Sequence, residues 1–84
     1  MFIKKLINKS KLHKDIVCFF IENPACIDTP RGISTWVKSE RSKVEKVLRE
    51  LAESGILIDH KTTSTIGYSF TRNKIIISEI KKAL

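Results

Sequence analysis

Phe2, Ile3, Leu6 and Ile7 fall on one side of a helical projection and Lys4, Lys5, Asn8 and Lys9 on the other, so residues 1–9 read as an amphipathic extension. A second apolar stripe, Leu12, Ile16, Phe19 and Phe20, follows Ser10, a residue suited to capping, and stops at Asn23-Pro24. This predicts a helix over 11–22. One continuous helix from Phe2 would rotate the second stripe away from the first, so a break is expected near residues 8–10.

Residues 25–32 contain Asp28, Pro30 and Gly32 and read as a connector, with a short extended piece near 29–31. Ile33, Trp36 and Val37 then have the spacing of a buried face, which predicts a short helix over 33–39 with Trp36 in the core. Glu40 and Arg41 form the turn after it. Ser42-Lys43-Val44-Glu45 matches a capping box, Val44, Val47, Leu48 and Leu51 make a compact apolar face, and Gly55 supplies a left-handed stop. These signals place a helix over 43–54. Ile56-Leu57-Ile58 and Tyr68-Ser69-Phe70 are strand-like and flank a polar stretch, giving a hairpin over 56–71. Asn73 caps a last helix over 74–84, with Ile76, Ile77, Ile80, Ala83 and Leu84 on one side.

The predicted class is mainly α with a small β-hairpin (α+β). Its order of elements is that of a winged helix-turn-helix: a three-helix core, a wing and a C-terminal helix. The 84 residues suffice for one domain over 1–84 and not for two cores. A net charge of +7 on so short a chain implies an acidic partner, nucleic acid first and an anionic membrane surface next. Asn8, Lys9, Lys11 and Lys14 interrupt the opening apolar run before it resembles a leader, and no stretch is long enough to span a bilayer, so a cytoplasmic protein is expected. Cys18, expected as a buried thiol, and Cys26 do not read as a disulfide. With His13 and His60 they show no paired metal-ligand spacing, and no glycine-rich phosphate loop or nucleophile setting is present. No cofactor, metal, small-molecule ligand or enzymatic activity is therefore expected.

Double-stranded DNA is the partner that this order of elements suits. The major groove is about 12 Å wide and admits one helix, while a hairpin beside it reaches the flanking backbone. On the 43–54 helix, Lys46 and Arg49 point away from the apolar face. The turn carrying Arg41, Ser42, Lys43 and Lys46 is expected to enter the groove, because free backbone N–H groups and the helix dipole also favour phosphate there. Glu50 and Glu53 lie toward the other end. The competing reading is that Glu45 with Arg49, Lys46 with Glu50 and Arg49 with Glu53 are ordinary surface ion pairs. In the wing, His60, Lys61, Thr63 and, beyond the second strand, Arg72 are candidate backbone contacts. Arg31, Ser34 and Thr35 stand near the start of the short helix, where a phosphate could rest on backbone N–H groups.

Leu48-Arg49-Glu50-Leu51-Ala52-Glu53-Ser54-Gly55-Ile56-Leu57, followed by Gly67-Tyr68-Ser69-Phe70-Thr71, resembles the end of the recognition helix and the wing of prokaryotic winged-helix regulators of the MarR and ArsR kind. The likeness spans about 11–73 and is specific to the fold more than to a subfamily. It implies sequence-specific DNA binding in transcriptional control, often as a homodimer. Asp59-His60-Lys61 loosely matches the MarR wing pattern, with lysine where that pattern has arginine, and lysine lacks arginine's fork of donors. The paired cysteines of ArsR metal sensors are absent from the recognition region.

For a homodimer, the spare apolar surfaces are Phe2 and Leu6 on the first helix and Ile76, Ile80 and Leu84 on the last. The alternative is that both helices close the core of one monomer. Two other functions compete with DNA binding. One is a protein-interaction adaptor without sequence-specific DNA binding, and the other is a membrane-surface protein using residues 1–14 as a basic anchor.

Overall fold

A break after Ile7 separates the first two helices. Lys9 N–H closes onto the Leu6 carbonyl at 3.2 Å, and Ser10, in extended backbone, accepts a hydrogen bond from the His13 N–H at 3.2 Å. The computed structural model describes residues 2–84, with side chains from Ile3 onward, so an expected role for the Phe2 side chain lies outside the described residues. It is a mixed α/β structure that holds, among the described residues, five helices and one three-stranded antiparallel sheet. The helices are α1 (Phe2–Ile7), α2 (Lys11–Glu22), α3 (Pro30–Val37), α4 (Arg41–Glu53) and α5 (Lys74–Ala83). The strands are β1 (Ile27–Asp28), β2 (Leu57–Lys61) and β3 (Ile66–Phe70), in spatial order β1-β3-β2.

Three expectations for the middle of the chain are corrected. The extended piece is Ile27–Asp28 rather than 29–31; it pairs Ile27 with Ser69 and Asp28 with Tyr68 at the far edge of β3. The short helix starts at Pro30, three residues earlier than the apolar spacing indicated. Thr29 accepts the Gly32 N–H at 3.2 Å as its cap, and Pro30 at the first position loses no helical hydrogen bond. The Ser42 capping box does not form. Lys38 takes the left-handed conformation (φ 55°) and reverses the chain early, so Glu40 becomes the residue before α4 and Arg41 its first residue. Ser42 is then already helical. The Glu45 carboxylate meets the Arg41 guanidinium (Nε–Oε1 3.0 Å), a stronger partner than a backbone N–H.

The end of α4 follows its expected chemistry. Gly55 (φ 88°) donates to the Ala52 carbonyl at 3.1 Å and Ile56 to that of Leu51 at 3.0 Å, the paired bonds of a glycine-terminated helix. That reversal feeds β2, which pairs with β3 from Leu57–Phe70 to Lys61–Ile66, and Asn73 Oδ1 caps α5 by accepting from Ile75 and Ile76.

The core lies where α2, α3, α4 and the base of the hairpin meet. Ile16, Val17, Phe20, Ile33, Val44, Leu48, Leu51 and Ile56 are fully buried. Trp36 is not among them. It is 70% exposed, because the core-facing arc of α3 runs from Ile33 toward Val37 and leaves Trp36 on the opposite flank. Cys18 is half-buried rather than buried. α1 and α5 pack on each other: Ile3, Ile7 and Ile80 are buried, and Leu6 and Ile76 are half-buried against the same core. Of the expected pairing residues with described side chains, Leu6, Ile76 and Ile80 thus pack within the chain, and Leu84 is still largely exposed. The same packing turns the side chains of Ile3 and Ile7 inward. No described helix is long and apolar enough to cross a membrane.

The two cap assignments separate cleanly by mutation. Thr29→Ala should lower stability by about 1 kcal/mol, whereas Ser42→Ala should change it by less than about 0.5 kcal/mol. Urea unfolding of the two variants checks this, and equal losses would restore the capping box.

Candidate nucleic-acid interface

The four apolar residues Val44, Val47, Leu48 and Leu51 bury one side of α4, and a helix buried on one side must turn the remainder outward. That outward side carries Arg41, Ser42, Lys43, Lys46 and Arg49, all exposed. None of the three ion pairs considered from sequence spacing forms. Arg41 pairs with Glu45, while Lys43, Lys46 and Arg49 have no ion-pair partner among the described residues.

Glu50 is withdrawn from this face by the N-terminal segment. Lys9 Nζ donates to Glu50 Oε2 at 2.7 Å, and His13, only 5% exposed, places Nε2 3.5 Å from Oε1. The other ring nitrogen, Nδ1, is 2.6 Å from Ser10 Oγ. The Lys9 hydrogen bond holds the Glu50 carboxyl below its usual range; partial desolvation opposes this, and the charges of Lys9 and His13 reinforce it. No feature of the α4 stripe alone identifies this joint, since Lys9 lies 41 residues away in the chain.

The hairpin stands beside α4 with a groove between them. Its upper part, about 220 Å³, is lined by Arg41, Glu45 and Arg49 from α4 and by Ser64, Thr65 and Ile66 from the hairpin. A wider part, about 500 Å³, is bounded by Arg49 and Glu53 on one side and Asp59 and Lys61 on the other. Tyr68, which the strand pattern alone did not mark as a site residue, floors both parts. Burial raises its hydroxyl pKa, with nearby Arg49 opposing the shift and Asp59 adding to it. The alternation of β3 contained the signal: Ile66, Tyr68 and Phe70 share one face, opposite Lys61, Asp59 and Leu57.

The other expected contacts divide. Lys61 joins the groove, and Thr63 is exposed at the hairpin tip. Thr62 is used internally, its hydroxyl donating to the Thr65 carbonyl at 3.0 Å. His60 points to the opposite face of the sheet, where Nε2 lies 2.7 Å from Ser69 Oγ, and so does not join Lys61. Arg72 is exposed on the link to α5, at the end of β3 away from the tip. At the start of α3, the Ser34 and Thr35 hydroxyls both turn back to the Arg31 carbonyl, at 2.7 and 3.2 Å. Arg31 itself is exposed. The Asp28 carboxylate occupies that helix start, accepting the Thr29 N–H at 2.8 Å and lying where a Gly32 side chain would be. A phosphate there would meet a negative charge, which removes the expected anion site.

Among the described residues no three histidine, cysteine, aspartate or glutamate side chains converge as a metal site. Comparison with protein-family models, curated proteins and solved structures finds no match to this chain.

The Lys9–Glu50 pair gives a pH signature. A carboxylate with a depressed folded pKa stabilises the fold above its unfolded value, near 4.5, and that contribution is lost as pH falls through the folded value. Glu50→Gln should therefore cost about 0.5 kcal/mol at pH 7, a small figure because the pair is solvent-screened, and less at pH 3. Denaturant titrations of both proteins at the two pH values measure the difference.

Proposed function

We propose that this chain is a winged helix-turn-helix module that binds duplex DNA, with α4 as the recognition helix and the β2–β3 hairpin as the wing, and that it serves transcriptional control. One observation carries the reading: Lys43, Lys46 and Arg49 stand exposed and without ion-pair partners on α4, while the acid best placed to neutralise them, Glu50, is bound by Lys9. α3, the turn at Lys38 to Glu40, and α4 form the helix pair that lays its second member into a groove. The exposed Lys61 and the hydroxyls of Thr63 and Ser64 are suited to the flanking phosphates. Glu53 and Asp59, facing each other across the wider part of the groove, confine the contact to the first turns of α4 and the hairpin tip.

A second reading is an adaptor that binds protein alone, and the exposed Trp36 favours it. The two readings diverge in one experiment. On random duplex DNA, the protein should bind with a dissociation constant on the order of micromolar or weaker and lose affinity steeply with salt. Lys43→Ala with Lys46→Ala should reduce binding and lower the slope of log affinity against log salt by about 2. Lys81→Ala with Lys82→Ala, on α5, should leave that slope nearly unchanged. Fluorescence anisotropy over a salt series reads both. Equal loss from the two pairs would reduce the interaction to net charge and favour the adaptor.

A further inference from the structure

We propose that the Trp36 face is a self-complementary docking surface through which two copies of this chain pair about a two-fold axis. This does not depend on DNA binding. Trp36 is the sole tryptophan of the chain and is 70% exposed. Its ring leans on Phe19 at a centroid distance of 5.9 Å, and Phe19 in turn meets the buried Phe20 edge-on at 5.2 Å, so the exposed aromatic is seated on the core. Between α2 and the end of α3 lies a recess of about 300 Å³ with Cys18, Phe19, Trp36 and Val37 as its apolar lining. A large aromatic held half over an apolar recess is the feature that anchors protein interfaces.

The rim identifies the occupant. Asp15 and Glu22, at either end of one α2 stripe, border the recess on a chain that is otherwise strongly basic, and neither has an ion-pair partner among the described residues. Carboxylates there repel phosphate and exclude this face from a nucleic-acid contact. Across the recess stands Lys38, also without an ion-pair partner, fixed in place by the left-handed turn that ends α3. One face thus carries an apolar centre with anions on one side and a cation on the other. A two-fold axis through such a face sets each Trp36 against the partner's recess and each Lys38 against the partner's Asp15 and Glu22, the pairing that an isologous contact requires. On α1 and α5 most of the described apolar side chains are used within the monomer, although Ile75 and Leu84 stay exposed.

Sedimentation equilibrium of the full chain in reducing buffer tests this, with the emission of Trp36 as a local reporter. The face is small, so a dissociation constant on the order of 10 µM is expected. Raising the concentration to about 200 µM should then produce dimer and shift Trp36 emission to the blue over the same range. Trp36→Ala should weaken association about thirtyfold or more with unchanged circular dichroism. Asp15→Lys with Glu22→Lys makes the rim wholly cationic, and Lys38→Asp, a residue that tolerates the left-handed region, makes it wholly anionic. Each of these variants alone should be monomeric, and their mixture should form a heterodimer. A wild-type chain that stays monomeric at about 200 µM with water-exposed Trp36 emission overturns the proposal, as does a dimer that Trp36→Ala leaves intact. Two rim variants that fail to pair on mixing overturn the two-fold arrangement.

Discussion

The structure depends on α4 being buried along one stripe and nowhere else. Val44, Leu48 and Leu51 are wholly enclosed and Val47 nearly so, and the elements that enclose them are α2, α3 and the base of the hairpin. Three or four aliphatic side chains, each stabilising by about 1.5–3 kcal/mol on burial, are a large share of what so small a domain can gather. The stripe therefore cannot rotate. Fixing it fixes the opposite side, and Lys43, Lys46 and Arg49 stand where they do because the valines and leucines one turn away have no other place to go.

Charge is sorted by the same packing. Glu50 sits at the edge of the buried stripe, close enough to α2 for Lys9 and His13 to reach it, and Glu45 is drawn onto Arg41. Asp28 is tied to the start of α3, and Asp15 and Glu22 lie on the far side of α2 beside Trp36. Asp15, Glu22, Asp28 and Glu50 are thus held away from the leading turns of α4, where Lys43 and Lys46 have no ion-pair partner among the described residues. This matters more than the total of +7, which a different placement of the same residues would scatter into surface ion pairs worth little.

Elements whose signals are local were legible in the sequence. Ser10, Asn23, Gly55 and Asn73 each act on a backbone group within a few residues, and α2, the hairpin and α5 appear within a residue or two of where those signals put them. The region from Ile27 to Arg41 was read less well because competing local signals occur there. Thr29-Pro30 and Ser42-Lys43-Val44-Glu45 are both valid helix starts, and the left-handed Lys38, which no residue preference marks, decides between them. Trp36 was misplaced because the spacing along α3 does not say which flank of Ile33 the core covers, and it covers the Val37 flank. Of the candidate site, the outward side of α4 followed from its apolar stripe. The Lys9–Glu50 joint, the Asp28 carboxylate at α3 and the turning of His60 away from Lys61 depend on long-range packing and strand register, which spacing along one element does not contain.

Lys38 links these results. Its left-handed backbone costs on the order of 1 kcal/mol for a side chain with a Cβ, where glycine would cost nothing. A glycine would make the same turn but would leave the recess beside Trp36 with carboxylates alone, and two such faces would repel each other. The lysine keeps the turn that starts α4 at Arg41 and at the same time supplies the cation that makes the Trp36 face self-complementary. Lys38 is thus a strained residue at the corner between two surfaces, and both the position of α4 and the charge at that corner depend on it. The proposed pairing and the proposed DNA contact would then meet at α3, with Trp36 at one end and the first turn of α4 at the other, so that joining two copies would also fix the spacing of two α4 helices.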